Sequence, residues 1–278
     1  MRVWSFSFTI LFLLLFVFVC EAQVEVHVGV TTSYNATFVL DKGLSEDPRY
    51  NSTLTYKWAP AGLNVGIDFS KTFGLSIESI LAKQGQVYEV IDVADKVVGE
   101  RKIDLSYIHL PFLMRFMSGG NSPARANFSL GPQLSLLTDA SEVMQYRGST
   151  QTFPEDVTLP TGATNVVRNA DGTTTATVPA QSFAEVLSKK NNDFRNKEIQ
   201  IVAALGLDID LSRHLYLSAQ MRGNYSLTDM RNGDVIDSIK SGNGSDLFGQ
   251  RTNLLVGVQL GLHYIFGSTR SFKFKGGR

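Results

Sequence analysis

Apolar and polar residues alternate one for one along most of this chain. Near the C-terminus Thr252, Leu254, Val256, Val258, Leu260, Leu262, Tyr264 and Phe266 share one parity, and Asn253, Gly257, Gln259, Gly261 and His263 share the other. A period of two puts the two sets on opposite faces of a β-strand. From Glu198 to Asp210 the odd positions Ile199, Ile201, Ala203, Leu205, Leu207 and Ile209 are apolar, against Glu198, Gln200, Gly206, Asp208 and Asp210. Leu215, Leu217, Ala219, Met221, Tyr225 and Leu227 repeat the pattern against His214, Ser218, Gln220, Arg222, Asn224 and Ser226. Five further segments follow it: Val24 to Asn35, Ala61 to Ser70, Phe73 to Lys83, Lys102 to Met117, and Ala126 to Thr138. In the fourth strand Ile103, Leu105 and Tyr107 are odd, whereas Ile108, Leu110, Phe112, Met114 and Phe116 are even, so a bulge near Tyr107 is expected.

Eight two-faced strands are enough to close a barrel. A soluble ligand-binding barrel has the same period with an apolar lumen, so strand lengths and connections must decide which face points in. Several strands exceed the ~9 to 11 residues needed to cross a bilayer at a tilt, against ~5 to 6 for ordinary sheets. Lys71-Thr72, the stretch from Ser118 to Arg125 and Leu211-Ser212-Arg213 are short connections. Ala36 to Pro60, Gly85 to Arg101, Asp139 to Lys197 and Asp229 to Arg251 are long ones. Short turns at one end and long loops at the other are the arrangement of barrels with brief periplasmic turns and extended external loops. The expected fold is therefore all-β: an eight-stranded antiparallel up-and-down transmembrane β-barrel, with both termini at the periplasmic end. Beyond the first twenty-odd residues no apolar run approaches the ~18 to 20 of a spanning helix, which excludes a helical membrane protein. Trp58, Phe69, Phe73, Phe116, Phe128, Tyr216, Tyr225, Tyr264 and Phe266 are candidates for interfacial girdles, although Tyr216 has the parity of the polar face.

With the apolar face toward lipid, the polar face fills the lumen, which in a barrel of this size is only wide enough for side chains. Asp68, Glu78, Arg115, Asp208 and His263 then fall in the periplasmic half and Arg222 nearer the middle. These six form the candidate site: an internal network of paired charges, since an unpaired buried charge is costly. The competing reading of the same residues is a proton relay or narrow ion path.

The ends of the chain set the compartment. Arg2, the apolar run from Phe6 to Val19, and Cys20-Glu21-Ala22 read as a secretory signal peptide over residues 1–22, with Gln23 as the mature N-terminus. Lipidation of Cys20 fits poorly behind the bulky Val19. Cys20 is the sole cysteine, so the expected mature chain has neither a disulfide nor a cysteine metal site. Acidic and basic residues balance at 26 each, and no global charge argues for nucleic acid. Arg270, Lys273, Lys275 and Arg278 make residues 267–278 a basic tail, expected to lie disordered in the periplasm.

Three stretches are similar to the porin-family or PorT-like outer-membrane barrels of Bacteroidetes. Ser106-Tyr107-Ile108-His109-Leu110-Pro111-Phe112-Leu113-Met114-Arg115-Phe116 resembles the family's Tyr-Ile-x-Ile-Pro-Leu-Leu strand. Leu205 to Ile209, Leu215 to Leu217 and Arg222 to Leu227 resemble its sixth and seventh strands, and Asn253 to Phe266 its closing strand. Tyr264 and Phe266 look like the aromatic signal that barrel-assembly machinery reads. Relatives often end at that aromatic, whereas this chain continues to Arg278 and carries a longer loop from Asp139 to Lys197. The resemblance implies residence in the outer membrane, contact with its lipid and with the assembly machinery, and in some relatives an association with protein secretion. It carries over no catalytic residue.

Enzymatic signals are thin. His27, His109, His214 and His263 are the histidines, all on or near the periplasmic half by strand phase, and no Gly-x-Ser-x-Gly elbow, paired metal-ligand histidines or phosphate-binding glycine loop is present. No catalytic, metal or cofactor-binding residue is expected. The functional expectation rests on the segment from Asp139 to Lys197, read either as a surface module for a ligand, glycan or secretion partner or as a solvated cover over the barrel mouth. Within it Ser182-Phe183-Ala184-Glu185 reads as a capping box opening a short helix at Val186 and Leu187. Asp171-Gly172 before Thr173, Thr174 and Thr175 reads as a small hairpin.

Overall fold

The computed structural model describes residues 24–119, 122–155, 157–243 and 249–266; the expected signal peptide and basic tail lie outside the described residues. Eight long antiparallel strands close a ring. They are β1 (Glu25–Asp41), β2 (Thr55–Asp68), β3 (Phe73–Ile91), β4 (Val97–Met117), β5 (Ala124–Tyr146), β6 (Lys197–Asp210), β7 (Leu215–Ser226) and β8 (Arg251–Phe266). Each pairs with its sequence neighbours, and β1 closes on β8 through a continuous register from Val26↔Phe266 to Asp41↔Arg251.

The apolar face is the outer one. Leu63, Leu205 and Met221 are 64%, 64% and 66% exposed, while the opposite parity is buried inside the ring. This inverts a soluble barrel and suits a wall whose solvent is lipid. At the short-turn end Phe69, Phe73, Phe116 and Phe128 form a row, ring centroids 5.6 to 6.3 Å apart, across the ends of β2 to β5. Tyr264 and Phe266 continue it on β8 as an edge-to-face pair at 5.0 Å. At the other boundary Tyr34 stacks on Tyr56 at 5.6 Å, and Trp58 Nε1 donates to Thr32 Oγ1 at 2.9 Å. Tyr216 is absent from either girdle: its ring is buried in the lumen.

β4 shows no bulge. Its odd residues from Arg101 to Met117 all point inward, so Ile103, Leu105 and Tyr107 are lumenal and Ile108, Leu110 and Phe112 face out. The extra residue lies across the ladder on β5, where Ser106 pairs with Asp139 and Tyr107 with Leu137, leaving Thr138 over. The apparent phase change marks a change in what the lumen contains. A second irregularity falls at Pro60-Ala61, two residues of β2 opposite Thr32, where proline has no N–H for the ladder.

β3, β4 and β5 run to 19, 21 and 23 residues, well past the apolar belt. The expected long loop Gly85 to Arg101 is therefore mostly strand, with a tight turn around Asp92 to Lys96. Tyr50–Thr53 pairs with the outer part of β3. The expected capping-box helix is instead a strand, Gln181–Ser188, laid along β5, because that strand's projecting edge offers a ladder that eight residues of backbone can fill. The short helix α1 (Lys42–Glu46) is capped by Asp41, whose Oδ1 accepts from Leu44 N at 3.0 Å. A second helix, α2 (Gly233–Lys240), follows β7.

Beyond β5 the chain forms a separate three-stranded sheet from Ser149–Phe153, Thr174–Val178 and Thr164–Arg168. The hairpin at Asp171-Gly172 is present, with Gly172 at φ 87° and Asn169 N donating to Thr173 O at 2.8 Å. Asp171 accepts from the Thr173 hydroxyl at 2.7 Å and its amide at 3.0 Å, which holds this exposed carboxyl below the usual range.

Candidate functional site

Because alternate residues of every strand point inward, the lumen is built by parity, and it is stacked in tiers. In the tier nearest the short turns Arg115 of β4 lies between Asp68 of β2 (3.1 Å) and Asp208 of β6 (2.9 Å). Its Nη1 also donates to His27 Nε2 at 2.6 Å, which leaves His27 Nδ1 to donate to Tyr216 Oη at 3.1 Å. His263 stacks on Tyr216 at 4.4 Å and meets Ser218 Oγ at 2.9 Å through Nε2. Asp208 takes a further bond from Asn127 at 2.7 Å. Two glycines make room for these rings: a Cβ on Gly66 would overlap the His27 imidazole, and one on Gly29 the His263 imidazole.

The middle tier centres on Arg222 of β7, 2.6 Å from Glu78 of β3 and 2.9 Å from the Gln259 carbonyl oxygen. Glu78 also accepts from Asn64 at 3.1 Å. Amides continue the network outward: Asn224 donates to Gln133 Oε1 at 3.1 Å, and Gln133 to Gln200 at 2.9 Å. His109 sits beside it, between Ser135 (2.8 Å) and Gln84 (3.2 Å). Above, Glu198 takes hydrogen bonds from Tyr107, Asn253 and Ser226.

Between the two lower tiers lies a cavity with room for about one water, lined by Thr31, Asn64, Ser76, Glu78, Arg115 and His263 among others. Four buried atoms of its lining, Thr31 Oγ1, Asn64 Oδ1, Ser76 Oγ and His263 Nδ1, find no protein partner.

The six charged or titratable residues singled out by parity thus fall into two groups. Asp68, Arg115 and Asp208 meet directly, with His263 joined to them through Tyr216 and His27, and Glu78 and Arg222 form the second pair. Sequence reasoning named His27 only among the histidines and Tyr216 only as a doubtful girdle residue, and left both, with Asn127, out of the network, although their parity was legible. It also missed the cluster that shuts the long-loop end. There Arg251 of β8 pairs with Asp41 of β1 and with Glu142 of β5 (2.8 Å), and Glu142 pairs with Arg101 of β4 (2.5 Å), all buried. Extending the odd parity of β1, β4 and β8 by a few residues reaches Asp41, Arg101 and Arg251.

Around this cluster the larger apolar core among the described residues closes the barrel: Val39, Leu44, Tyr88, Ile103, Leu105 and Leu137, with Leu187, Phe194 and Met230 from the loops. The loops carrying Phe194 and Met230 are tied by Arg195 N to Met230 O (2.8 Å) and Asn232 N to Asp193 O (2.7 Å). Among the described residues no group of three or more His, Cys, Asp or Glu side chains converges as a metal site would.

Comparison with known proteins finds a match to the family profile "Outer membrane protein beta-barrel domain" over residues 21–232. No curated protein matches the chain. Among solved structures, the outer membrane protein OprG from Pseudomonas aeruginosa is 14% identical, with 88% of this chain and 96% of that one covered and a TM-score of 0.40. Ail, the attachment invasion locus protein of Yersinia pestis, is 10% identical (87% and 99% covered, TM-score 0.37), and Neisserial surface protein A is 10% identical (87% and 97%, TM-score 0.38).

Proposed function

Taking as premise that the chain belongs to the outer membrane protein beta-barrel domain family, we propose that it is a closed barrel which conducts nothing and works at the cell surface. The observation that carries this reading is the double closure of the lumen. Bonded side chains fill the tiers of the interior and leave between the lower two only a cavity of about one water, and the long-loop end is sealed by an apolar core together with the Asp41, Arg251, Glu142 and Arg101 cluster. Opening a path would expose four buried charges and separate Phe194 and Met230 from the core at once. Catalysis has no place in this reading, since His27, His109, His214 and His263 all lie on the barrel, away from the three-stranded sheet.

What remains for function is that sheet over 149–178, raised on β5. It presents an edge strand, Thr164–Arg168, exposed throughout, with Val166 and Val167 54% and 58% exposed. An open edge carrying apolar side chains suits recognition of a ligand or a secretion partner in extended conformation. The secretion role implied by the resemblance to PorT-like barrels belongs to the same reading, as do export by the N-terminal signal, and Tyr264 and Phe266 as the assembly signal. Planar-bilayer recordings of the purified chain are expected to show no unitary steps. Reproducible steps abolished by Arg222→Ala would refute the closed barrel and favour a narrow channel.

A further inference from the structure

The outer wall carries a basic cluster at the upper edge of its apolar belt. On β3 the outward residues run Phe73, Leu75, Ile77, Ser79, Leu81 and then Lys83. Ten residues at ~3.4 Å rise and ~40° tilt rise roughly 26 Å, close to the ~25 Å height of a lipid-facing band, so Lys83 stands where headgroups begin. Lys83 pairs across the ladder with Ser106 of β4, and two residues farther along that outer face lies Asp104. Lys57 of β2 reaches Asp104 Oδ1 at 2.8 Å and Lys102 reaches Oδ2 at 2.9 Å. Lys57 and Lys102 thus flank one carboxylate, and Lys83 lies on the neighbouring strand one outward position below it; with the exposed Asp139 of β5, in register with Ser106, three lysines stand against two carboxylates and leave a net positive charge. Lys102 and Asp104 are 53% and 39% exposed and Lys57 20%, so the cluster opens to a ligand chiefly through Lys102.

Directly below, the same wall is hollowed. A shallow groove of about 630 Å³ runs from β7 and β8 across β1 and β2 to β3, lined by Val30, Pro60, Leu63, Leu81, Leu217 and Leu260 among others. The Pro60-Ala61 irregularity contributes to its floor. Leu81, in the groove, and Lys83, in the cluster, are successive outward residues of one strand. An occupant must therefore be apolar below and anionic above.

We infer that Lys57, Lys83 and Lys102 bind the phosphate of an acylated, phosphorylated glycolipid of the outer leaflet, with an acyl chain lying in the groove beneath. Lysine supplies point charges suited to phosphate oxygens, and its aliphatic stem lies along apolar wall while its head stays at the interface. Asp104 spaces two of the ammonium groups; it repels the ligand, and three lysines outweigh it. The inference rests on the proposed orientation, with the long-loop end outside, and a separate measurement tests that orientation: protease added to intact cells should cleave within 149–178.

The binding test uses the full chain in detergent, titrated with diphosphorylated lipid A and followed by native mass spectrometry. Lys57→Gln, Lys83→Gln and Lys102→Gln are each expected to weaken binding roughly fivefold, and together by about a hundredfold. Lysine-to-arginine variants at the same positions should retain it, which separates lost charge from lost fold. Fully dephosphorylated lipid A should bind no better to wild type than to the triple glutamine variant. Equal wild-type affinity for phosphorylated and dephosphorylated lipid would overturn the proposal. So would an unaffected triple variant, or displacement of lipid A by millimolar inorganic phosphate alone, which would make this a soluble-anion site.

Discussion

Arg115→Ala is the sharpest probe of the tiered lumen. The side chain it removes lies 3.1 Å from Asp68, 2.9 Å from Asp208 and 2.6 Å from His27, all buried. Removing one partner of a buried ion pair costs about 3–5 kcal/mol, because the charge left behind has lost its solvent as well as its partner. Here two carboxylates lose the same partner, so the upper part of that range is expected. This corresponds to roughly three orders of magnitude in the folded-to-unfolded ratio, or about 2 M in the urea midpoint for a slope of ~2 kcal/mol/M. Arg222→Ala should cost less, since Glu78 keeps bonds from Asn64 (3.1 Å) and Gln259 (3.4 Å). Trp58, hydrogen-bonded at the barrel wall, is the single tryptophan once residues 1–22 are removed, and its emission follows unfolding in vesicles or detergent. Replacing all three charges, Arg115→Met with Asp68→Asn and Asp208→Asn, should recover most of the loss, because the uncompensated charge is gone. An Arg115→Ala midpoint equal to wild type, or a triple variant no better than the single one, would refute the paired-network account.

Two further outcomes test other parts of the structure. Gly66→Ala places a methyl group against the His27 ring and should cost about 1–3 kcal/mol, as overpacking typically does; the same assay measures it, and a neutral result would mean that His27 moves freely. Residues 147–180 can be replaced by a short glycine-serine turn, because Tyr146 and Gln181 are ladder partners. The shortened chain should insert with an unchanged urea midpoint and lose whatever ligand or partner the intact surface captures. Full retention of that binding would move the function elsewhere.

The barrel was legible because lipid enforces parity. Wherever a strand crosses the belt, as Leu75 to Leu81 or Ile199 to Ile209 do, one face is predominantly apolar and the other holds the charged and amide residues, and the positions of Asp68, Glu78, Arg115, Asp208, Arg222 and His263 follow from counting. Legibility failed above the belt. There the outer face meets water, so Lys83, Lys102 and Asp104 replace apolar residues, and the inner face meets a capping core, so Ile103, Leu105 and Tyr107 replace polar ones. Both faces exchange character at the same height, and the strand looks out of phase when only its surroundings have changed. Strand ends were misplaced for the same reason, β5 by eight residues at Tyr146 and β1 by six at Asp41. The closing cluster was invisible because its partners are far apart in sequence, Arg251 from Asp41 by 210 positions and from Glu142 by 109.

The projecting ladder of β3, β4 and β5 sets how this molecule meets its surroundings. From Ile108, the last outward apolar residue on β4, eleven residues of paired strand lead to Val97, a rise of roughly 25–30 Å at ~3.3 Å per residue and ~40° tilt. The terminal sheet therefore stands on a stiff stalk instead of hanging from a tether. Its reach is fixed and its heading constant, so capture of a partner forfeits little conformational freedom on this side of the encounter. The same stiffness restricts which partners can be met, to those presented at that height above the lipid.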